Sequence, residues 1–332
     1  MPSENDLTGT PCPACGGRLV AWRAVPASEP GLTAGRYELW RCATCGSAVT
    51  AGEASPELHE TGAYRAGQPR LYRLVTPLLR SFDRQRLAML RAAAPPPRRL
   101  LDAGAGRGRF LAAALAAGYD AFGIEPSARG AGTAAALGLP VRRAGIEAAG
   151  LPAASVDVVT LWHVLEHLDN PAVALAEIAR WLRPSGILLV GVPNLSSWQA
   201  RAGADRWYHL DPPRHRVHFT EAGVGELLRG QGFSVVATRH LLLEHNPFGM
   251  WQSLVNRLTR QPSYLYNLLK RNAPVRSRDL AITIAALPLL PVAAAAELIA
   301  GLLHRGGTIA VLARRTDQRH GETTARQARR PE

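Results

Sequence analysis

The chain has 332 residues, of which 47% are hydrophobic and 20% charged, with a formal net charge of +13. This composition can bury a sizeable core, so it excludes a wholly disordered, collagen-like or coiled-coil protein, and the length allows two compact units. The charge suggests a nucleic-acid or anionic-membrane partner, but it is uneven. The net charge is −3 over residues 1–60, +8 over 61–100, −1 over 101–200 and +9 over 201–332.

The cysteines form two CxxC pairs near the N-terminus, Cys12 with Cys15 and Cys42 with Cys45. Two intervening residues let both thiolates of a pair reach one tetrahedral ion, and the glycine after each pair permits a tight turn. The 26-residue gap between the pairs fits a zinc ribbon with strands at 19–22 and 37–41. A redox site would need one CxxC beside a βαβ unit, and disulfides would need a secretory leader, which the polar first ten residues do not predict. We therefore predict structural zinc on these thiolates, in a ribbon and linker over residues 1–60, the linker beginning near residue 46.

A helical region is predicted over residues 61–97. Apolar residues recur at helical spacing between 70 and 94, at positions 71, 74, 75, 78, 79 and 82. Arginines at 73, 80, 84, 86 and 91 line another face, which we interpret as exposed to solvent. The three prolines at 95–97 end the helix.

Short apolar runs alternate with alanine-rich helical stretches from 98 to 241. Strands are predicted at 99–103, 121–125, 141–144, 156–162, 187–192 and 233–238, and helices at 171–182 and 221–231 among others. This alternation predicts an α/β fold with a parallel, doubly wound sheet.

The first strand of this region runs into a glycine-rich turn that contains Asp102, Gly104, Gly106 and Gly108, and a helix follows. Glycines let a ligand approach the backbone beside a helix N-terminus. The spacing GxGxG differs from the dinucleotide fingerprint GxGxxG. The second strand ends at Glu125, whose carboxylate could accept both hydroxyls of a ribose. Together these features predict a nucleoside-containing ligand.

With these residues, 98–240 resembles the class I S-adenosylmethionine-dependent methyltransferases. The resemblance implies a Rossmann-like seven-stranded sheet, S-adenosylmethionine as cofactor and methyl transfer as the activity. In that family the glycine loop backs the methionine part of the cofactor, the Asp102 position supports the loop and the amino group, the Glu125 position holds the ribose, and the position of residues 146–147 lies beside the adenine. The cofactor-binding residues implied are Asp102, Gly104, Ala105, Gly106, Gly108, Glu125, Pro126, Trp162 and His163.

The segment His163-Val-Leu-Glu166-His167 follows the fourth strand and resembles the "HVLEH" segment of small-molecule methyltransferases, including ubiquinone-type O-methyltransferases. It lies at the carboxyl edge of the predicted sheet, where doubly wound folds bind ligands. The three polar side chains could act as a base or as metal ligands for an acceptor hydroxyl. Alternatively, Glu166 and His167 only cap and hydrogen-bond the loop before Pro171.

A histidine- and arginine-rich loop, residues 207–220, follows the fifth strand. Because histidine titrates near neutrality, His215 is our preferred general base, with His163, His209 and His218 as further candidates. In the alternative interpretation these histidines hold the loop against the next helix, whose N-cap would be Thr220. A sulfonium is already activated, so in-line approach could suffice without a base.

An apolar stretch of 24 residues, 280–303, contains one charge, Glu297, and two prolines, Pro288 and Pro291. Its length would span a membrane. However, a last strand at 307–313 would pair with 233–238, which places both ends of a 242–305 insertion on one side of any bilayer. The prolines favour two shorter helices, either lying in a membrane interface or packed as a buried lid. The last core strand falls within 306–315, and the polar tail 316–332 is predicted to be disordered.

We therefore expect methyl transfer to a small-molecule or lipid- or glycan-linked acceptor, preferentially at oxygen. The alternatives are a zinc-ribbon RNA methyltransferase and a non-catalytic cofactor-binding adaptor. RNA is the less favoured partner, because the ribbon is acidic and the HVLEH segment is typical of small-molecule enzymes. We expect a cytoplasmic protein, peripheral at the inner face of the membrane if 280–303 docks there.

Overall fold

The computed structural model describes residues 6–28, 35–52, 72–270 and 272–316, and their strands form two sheets. The N-terminal sheet contains β1 (Leu19–Pro26), β2 (Arg36–Cys42), β3 (Ala48–Thr50) and β9 (Val217–His218). The larger sheet contains β4 (Arg99–Ala103), β5 (Asp120–Glu125), β6 (Val141–Arg143), β7 (Val156–Trp162), β8 (Leu182–Pro193), β10 (Phe233–Arg239) and β11 (Thr308–Arg315).

The larger sheet has seven strands in the order β10-β11-β8-β7-β4-β5-β6. Strands β4 to β8 run parallel, and β11 pairs antiparallel with both β8 and β10. The helices of the core are α1 (Tyr72–Ala93), α2 (Arg109–Ala116), α3 (Ala128–Ala136), α4 (Pro171–Trp181), α5 (Trp198–Gly203) and α6 (Glu221–Gly230). The predicted doubly wound α/β fold is confirmed, including the antiparallel last strand.

The core lies on both faces of the central strands. Residues 187–190 and 192 of β8 are buried, as expected for a parallel strand covered on both sides. Helix α4 turns Leu175, Ile178 and Trp181 inward, and all three are fully buried. This packing fixes the carboxyl ends of β4, β5 and β7, where the predicted site residues lie.

Helix α1 is less exposed on its arginine side than we predicted. Arg86 is only 7% exposed, pairs with Glu244 and stacks its guanidinium 4.1 Å from the centre of the Trp162 ring. A buried charge is tolerated when it is paired, and Glu244 supplies the partner. The prediction of a solvated arginine face is therefore wrong for Arg86, and Leu78, predicted on the buried face, is 55% exposed.

The N-terminal sheet is joined to the core rather than hanging from a linker. Strand β3 lies where we predicted a linker, and it pairs antiparallel with β9, which belongs to the histidine-rich loop. The cap of α6 touches the same unit: the Thr220 hydroxyl donates to Cys45 O at 2.7 Å and accepts from Gly223 N at 3.0 Å. A three-residue strand in a polar segment has no periodicity that predicts it, because its partner is distant in sequence.

The insertion between β10 and β11 consists of α7 (Asn246–Asn256), α8 (Tyr264–Leu269), α9 (Ser277–Ala286) and α10 (Leu290–Leu302). A 3₁₀ turn over Leu287–Leu289, which contains Pro288, separates α9 from α10. The segment therefore forms two shorter helices, as its prolines predicted. Helix α10 buries Ala293, Glu297 and Ala300, which share one face, and Ala293 packs with Met250 and Trp251 of α7. Apart from Thr316, the predicted tail lies outside the described residues, as does 53–71 of the predicted linker and helix start.

Gly223 is the closest point between α6 and the second cysteine pair. A Cβ at this position would overlap Ser47 Oγ and lie 3.3 Å from Cys45 Sγ. We expect Gly223→Ala to lower the free energy of unfolding by about 1–3 kcal/mol, because the two elements would have to separate. Gly225→Ala is the matched control: on the same helix, its Cβ would meet only the flexible Arg229 side chain, at 3.4 Å. Urea unfolding should show that the control raises the free energy of unfolding by up to about 1 kcal/mol. Equal free energies of unfolding for the two variants would contradict the tight contact at Gly223.

Candidate functional site

A cavity of about 500 Å³ opens at the carboxyl ends of β4 and β5. We call it the glycine-loop cavity. Gly104 and Gly106 line it from the turn after β4, and Glu125 and Pro126 line it from the end of β5. Ile146 and Glu147, the positions implied to lie beside an adenine, line it as well. The volume lies within the range of small-molecule sites.

The glycine loop is shaped by two close contacts and one open position. Gly104 and Gly108 have φ of +81° and +82°, and a Cβ on them would overlap Val164 and Leu139 respectively. Gly106 also has a positive φ, +55°, but a Cβ there would meet nothing within 4 Å. The first and third glycines therefore allow close packing, whereas the second leaves the backbone open to the cavity.

Glu125 is the acidic group of the cavity. Its carboxylate is 8% exposed and accepts hydrogen bonds from Gly106 N at 2.8 Å and Ser127 N at 2.9 Å. These bonds couple the end of β5 to the glycine loop. Since a carboxylate oxygen can accept two hydrogen bonds, they are compatible with hydroxyl donors of a ligand.

Four of the predicted cofactor residues do not line the cavity: Asp102, Ala105, Gly108 and Trp162. Asp102 is buried on β4 and accepts from Thr160 Oγ1 at 2.6 Å, and burial raises its pKa to about 6. It braces the base of the glycine loop. Trp162 lies against Gly191 and the Arg86 guanidinium.

A second cavity, of about 210 Å³, adjoins the first, and we call it the histidine cavity. It is lined by polar and aromatic side chains from four parts of the chain: Ser28, His163, His167, Tyr208, His209, Asp211, Arg214, His215, His245, Ser263, Tyr266 and Asn267. All three predicted catalytic residues, His163, His209 and His215, are therefore brought together. His163 and His167 line both cavities and form the wall between them.

His163 has an unusual backbone as well as a central position. Its φ is +54°, a region that residues other than glycine rarely adopt, and its backbone N donates to Gly191 O at 2.9 Å. The side chain is held by Glu166, whose Oε1 lies 2.8 Å from His163 Nδ1. Such strain persists where the surrounding structure fixes it, which is common at active sites.

Glu166 is 1% exposed. Burial alone would raise its pKa, but the hydrogen bond to His163 and the electrostatic influence of the neighbouring imidazoles lower that pKa to about 2. The carboxylate is therefore ionised at neutral pH. Its Oε2 has no hydrogen-bond partner among the described residues. The interpretation that Glu166 only hydrogen-bonds the loop thus accounts for one of its two oxygens.

The remaining histidines differ in their surroundings. Burial lowers the pKa of His209 well below its usual value, and burial together with the charge of His163 lowers that of His245 to about 4. Both rings are therefore neutral at pH 7. His218 does not line either cavity; its Nε2 lies 2.9 Å from Thr50 Oγ1, so it holds the loop against β3.

Sequence reasoning missed the contributions to the histidine cavity from outside the core. Ser28 comes from the segment between β1 and β2, and its carbonyl accepts from Asn267 Nδ2 at 3.0 Å. Tyr266 and Asn267 come from α8, and His245 immediately precedes α7. No local pattern marks Ser28. Tyr266 could have been predicted as a lining residue only from the aromatic residues in the sequence of the insertion.

The four cysteines converge as predicted from their spacing. Cys12 Sγ lies 3.8 Å from Cys45 Sγ, and Cys15 Sγ lies 3.5 Å from Cys42 Sγ. Thiolates bound at about 2.3 Å in a tetrahedron are about 3.8 Å apart, so these separations suit one ion. Gly16 N and Gly46 N close the two turns by donating to Cys12 O and Cys42 O.

Comparison with known proteins identifies the family of the core. Residues 78–238 match the family model described as a methyltransferase domain. A probable S-adenosylmethionine-dependent methyltransferase of Mycolicibacterium smegmatis is 37% identical over 98 residues, which are 30% of this chain and 36% of that protein. One of Mycobacterium tuberculosis is 48% identical over 54 residues, 16% of this chain and 20% of that protein. The chain thus spans about a third or less of the length of these relatives.

Solved structures show distant likeness. An S-adenosylmethionine-dependent methyltransferase from Mesorhizobium loti is 20% identical, with 69% of this chain and 96% of that one covered and a TM-score of 0.44. The 1,6-didemethyltoxoflavin-N1-methyltransferase of Burkholderia thailandensis is 19% identical, with 87% and 100% covered and a TM-score of 0.43. Residues 78–238 thus match the methyltransferase-domain family, and this region, with its glycine loop and Glu125, is similar to S-adenosylmethionine-dependent methyltransferases.

Proposed function

We propose that this protein transfers a methyl group from S-adenosylmethionine to a hydroxyl of a small-molecule or lipid- or glycan-linked acceptor. The observation that carries the proposal is the shared wall: His163 and His167 line both the glycine-loop cavity and the histidine cavity. A cofactor in the first cavity would thus adjoin an acceptor in the second. Proximity of this kind is most of what methyl transfer from an activated sulfonium requires.

The glycine-loop cavity fits the cofactor. Gly106 leaves its backbone open, Glu125 presents a carboxylate for ribose hydroxyls, and Ile146 offers a buried apolar side chain for a base. The cofactor, when bound, supplies the electrophilic methyl group. The family implies this placement, and the shape and donor chemistry of the cavity support it.

The histidine cavity suits a polar acceptor. At about 210 Å³ it lies below the usual range for a whole ligand, which favours entry of the reacting end of a larger molecule. His163 is better placed than His215 to accept the hydroxyl proton, because it lines both cavities. Glu166 lies 2.8 Å from its Nδ1, so that Nε2 can take the proton.

The four-cysteine cluster fits a structural zinc ion. Its sulfur separations match tetrahedral coordination, and its four ligands are all thiolates, which leave no open position for catalysis. The unit that it would hold is small, with few buried apolar side chains of its own. Zinc would therefore stabilise β1 to β3, and through them the pairing with β9.

Glu125→Gln tests the cofactor site. The amide would present an N–H toward one of the two backbone N–H donors, Gly106 or Ser127, and would weaken any bond to a ribose hydroxyl. We expect the Kd for S-adenosylmethionine in isothermal titration to rise at least tenfold, about 1.4 kcal/mol. Asp120→Asn, 78% exposed at the start of the same strand and outside the cavity, is the control and should bind as the wild type. Binding unaffected by Glu125→Gln would contradict the assignment, and a wild type that does not bind would remove the proposed function.

His163→Asn tests the proton acceptor. Asparagine tolerates the positive φ, so the backbone should persist while the base is lost. We expect kcat to fall by about 10²-fold or more with little change in cofactor affinity. The assay follows methyl-labelled S-adenosylmethionine into fractionated polar and lipid-linked hydroxyl compounds. His245→Asn, also at a positive φ but lining only the histidine cavity, should lose less activity. Full turnover by His163→Asn would show that positioning alone suffices.

A membrane surface is the partner that the insertion favours. The helical segment Ser277–Leu302 has a mean hydropathy of 2.0 over its most apolar window, of which 22% is buried. Its outer side exposes large apolar residues: Ile284, Leu287, Leu289, Leu290, Val292, Leu298, Ile299 and Leu302. Both ends carry exposed arginines, Arg276 and Arg278 at the start of the segment and Arg305 after it. An apolar face flanked by cations suits an interface rich in anionic lipids.

Contacts on the inner side of this segment favour a segment that lies on a membrane surface over one that crosses the membrane. Glu297 accepts from Gly307 N at 2.5 Å and from Gln199 at 3.4 Å, and a Cβ on Gly301 would overlap Leu241. The C-terminal half of helix α10 is thus anchored to the core. The same insertion contributes Tyr266 and Asn267 of α8 to the histidine cavity, which supports a lipid-linked acceptor.

Leu298→Glu combined with Leu302→Glu tests this docking. Both side chains are more than half exposed, at 55% and 60%, so the change should leave folding intact. We expect the wild type to sediment with phosphatidylglycerol vesicles. The affinity of the double variant for these vesicles should be lower by about tenfold or more. Leu137→Glu, 66% exposed on the core, is the control and should sediment as the wild type. Equal sedimentation of all forms would overturn the proposal, as would a wild type that forms dimers and ignores vesicles.

A further inference from the structure

Glu166, His167 and His215 form a cluster whose arrangement goes beyond the roles that the proposed function gives to Glu166 and His167. One potential ligand atom from each lies within 4.8 Å of the other two. Glu166 and His167 belong to the 3₁₀ turn after β7, and His215 belongs to the loop before β9. The side chains of His167 and His215 line the histidine cavity, and Glu166 lies buried behind them.

The backbone brings this cluster together. Arg216 N donates to Glu166 O at 2.7 Å, which holds the residue after His215 against the turn. Thr50 Oγ1 donates to His215 O at 2.7 Å from the opposite side. His215 is therefore fixed relative to Glu166 by two hydrogen bonds that do not involve its ring.

The imidazole rings of His167 and His215 each point Nδ1 at a backbone carbonyl, which is the orientation common among metal-binding histidines. His167 Nδ1 lies 3.0 Å from Arg214 O, and His215 Nδ1 lies 2.8 Å from His209 O. A carbonyl oxygen only accepts, so each Nδ1 carries the hydrogen and each Nε2 carries the lone pair. Metal-binding histidines commonly donate their other ring N–H to a backbone carbonyl in this way.

The carboxylate of Glu166 is a second observation, besides the ring orientations, that points to a bound cation. Its Oε1 is occupied by His163, whereas Oε2 is buried without a hydrogen-bond partner among the described residues. A buried carboxylate oxygen without a partner is costly, and a cation would satisfy it. Three ligands bound at about 2.1 Å in a tetrahedral arrangement lie about 3.4 Å apart. Atoms that lie within 4.8 Å of one another therefore need move by less than about 1 Å each.

We propose that Glu166, His167 and His215 bind a divalent first-row transition-metal ion whose open positions face the histidine cavity. Two imidazoles and one carboxylate suit Zn²⁺, Fe²⁺, Mn²⁺ or Co²⁺ rather than Ca²⁺ or Mg²⁺. The role of the ion rests on the proposed function: it would bind the acceptor oxygen and lower the pKa of the hydroxyl. The proton passes to His163, the oxygen–carbon bond forms as the sulfonium–carbon bond breaks, and S-adenosylhomocysteine leaves.

Titration with Co²⁺, without cofactor or acceptor, tests the site itself. The full chain is first loaded with one equivalent of zinc, which four thiolates bind in preference to two imidazoles and a carboxylate, so that the four-cysteine cluster alone is filled. Its zinc content is then counted. We expect the wild type to take up one further Co²⁺, with d–d absorption bands and no thiolate-to-cobalt charge transfer. Glu166→Gln and His215→Gln should each bind at least about tenfold more weakly. His245→Asn, in the same cavity but outside the cluster, should bind as the wild type.

The inference is overturned if the zinc-loaded wild type takes up no further Co²⁺, or if both cluster variants bind it as the wild type does. The wild-type titration decides the first point even if a variant does not fold, and circular dichroism identifies such a variant. A separate titration with S-adenosylmethionine shows whether the proposed function stands. Failure of the metal site and failure of the cofactor site are thus distinguished.

Discussion

The arrangement of the histidine cavity depends on the pairing of β3 with β9. Thr50 binds the loop at three points: its N–H donates to Arg216 O, its hydroxyl donates to His215 O, and the same hydroxyl contacts His218 Nε2. The loop has little regular structure of its own, since β9 is two residues long. Its histidines therefore take their positions from the cysteine-bearing N-terminal sheet on one side and from the turn after β7 on the other.

The sequence predicted the features whose signals are local. Buried parallel strands such as β7 and β8 are nearly continuous apolar runs, and the glycine loop and Glu125 are recognised by spacing over about 20 residues. Strand β3 could not be predicted in this way, because Thr50 and its partner His218 are 168 residues apart. Arg86 illustrates the same limit: helical periodicity placed it on a polar face, and its burial depends on Glu244, 158 residues away.

The excess of arginine has a partly structural explanation. Several arginines form ion pairs with low exposure on at least one partner: Arg86 with Glu244, Arg109 with Asp83 and Glu244, Arg214 with Asp211, and Arg216 with Asp169. The pairs of Arg86 and Arg109 join α1 and α2 to the start of the insertion, Arg214 pairs within the histidine-rich loop, and Arg216 joins that loop to the segment before α4. Each pair contains a carboxylate that the net charge of +13 already counts, so the excess of positive charge comes from the other basic residues.

The boundaries of the family match have a consequence for acceptor choice. Residues 78–238 contain the whole glycine-loop cavity but only part of the histidine cavity, whose other walls come from Ser28, His245, Ser263, Tyr266 and Asn267. Under the proposed function, proteins that share only this segment would share the cavity for the methyl donor. The flanking segments could then change the cavity for the acceptor while the donor cavity stays the same. Inheritance of the reaction and inheritance of the substrate would thus depend on different stretches of the chain.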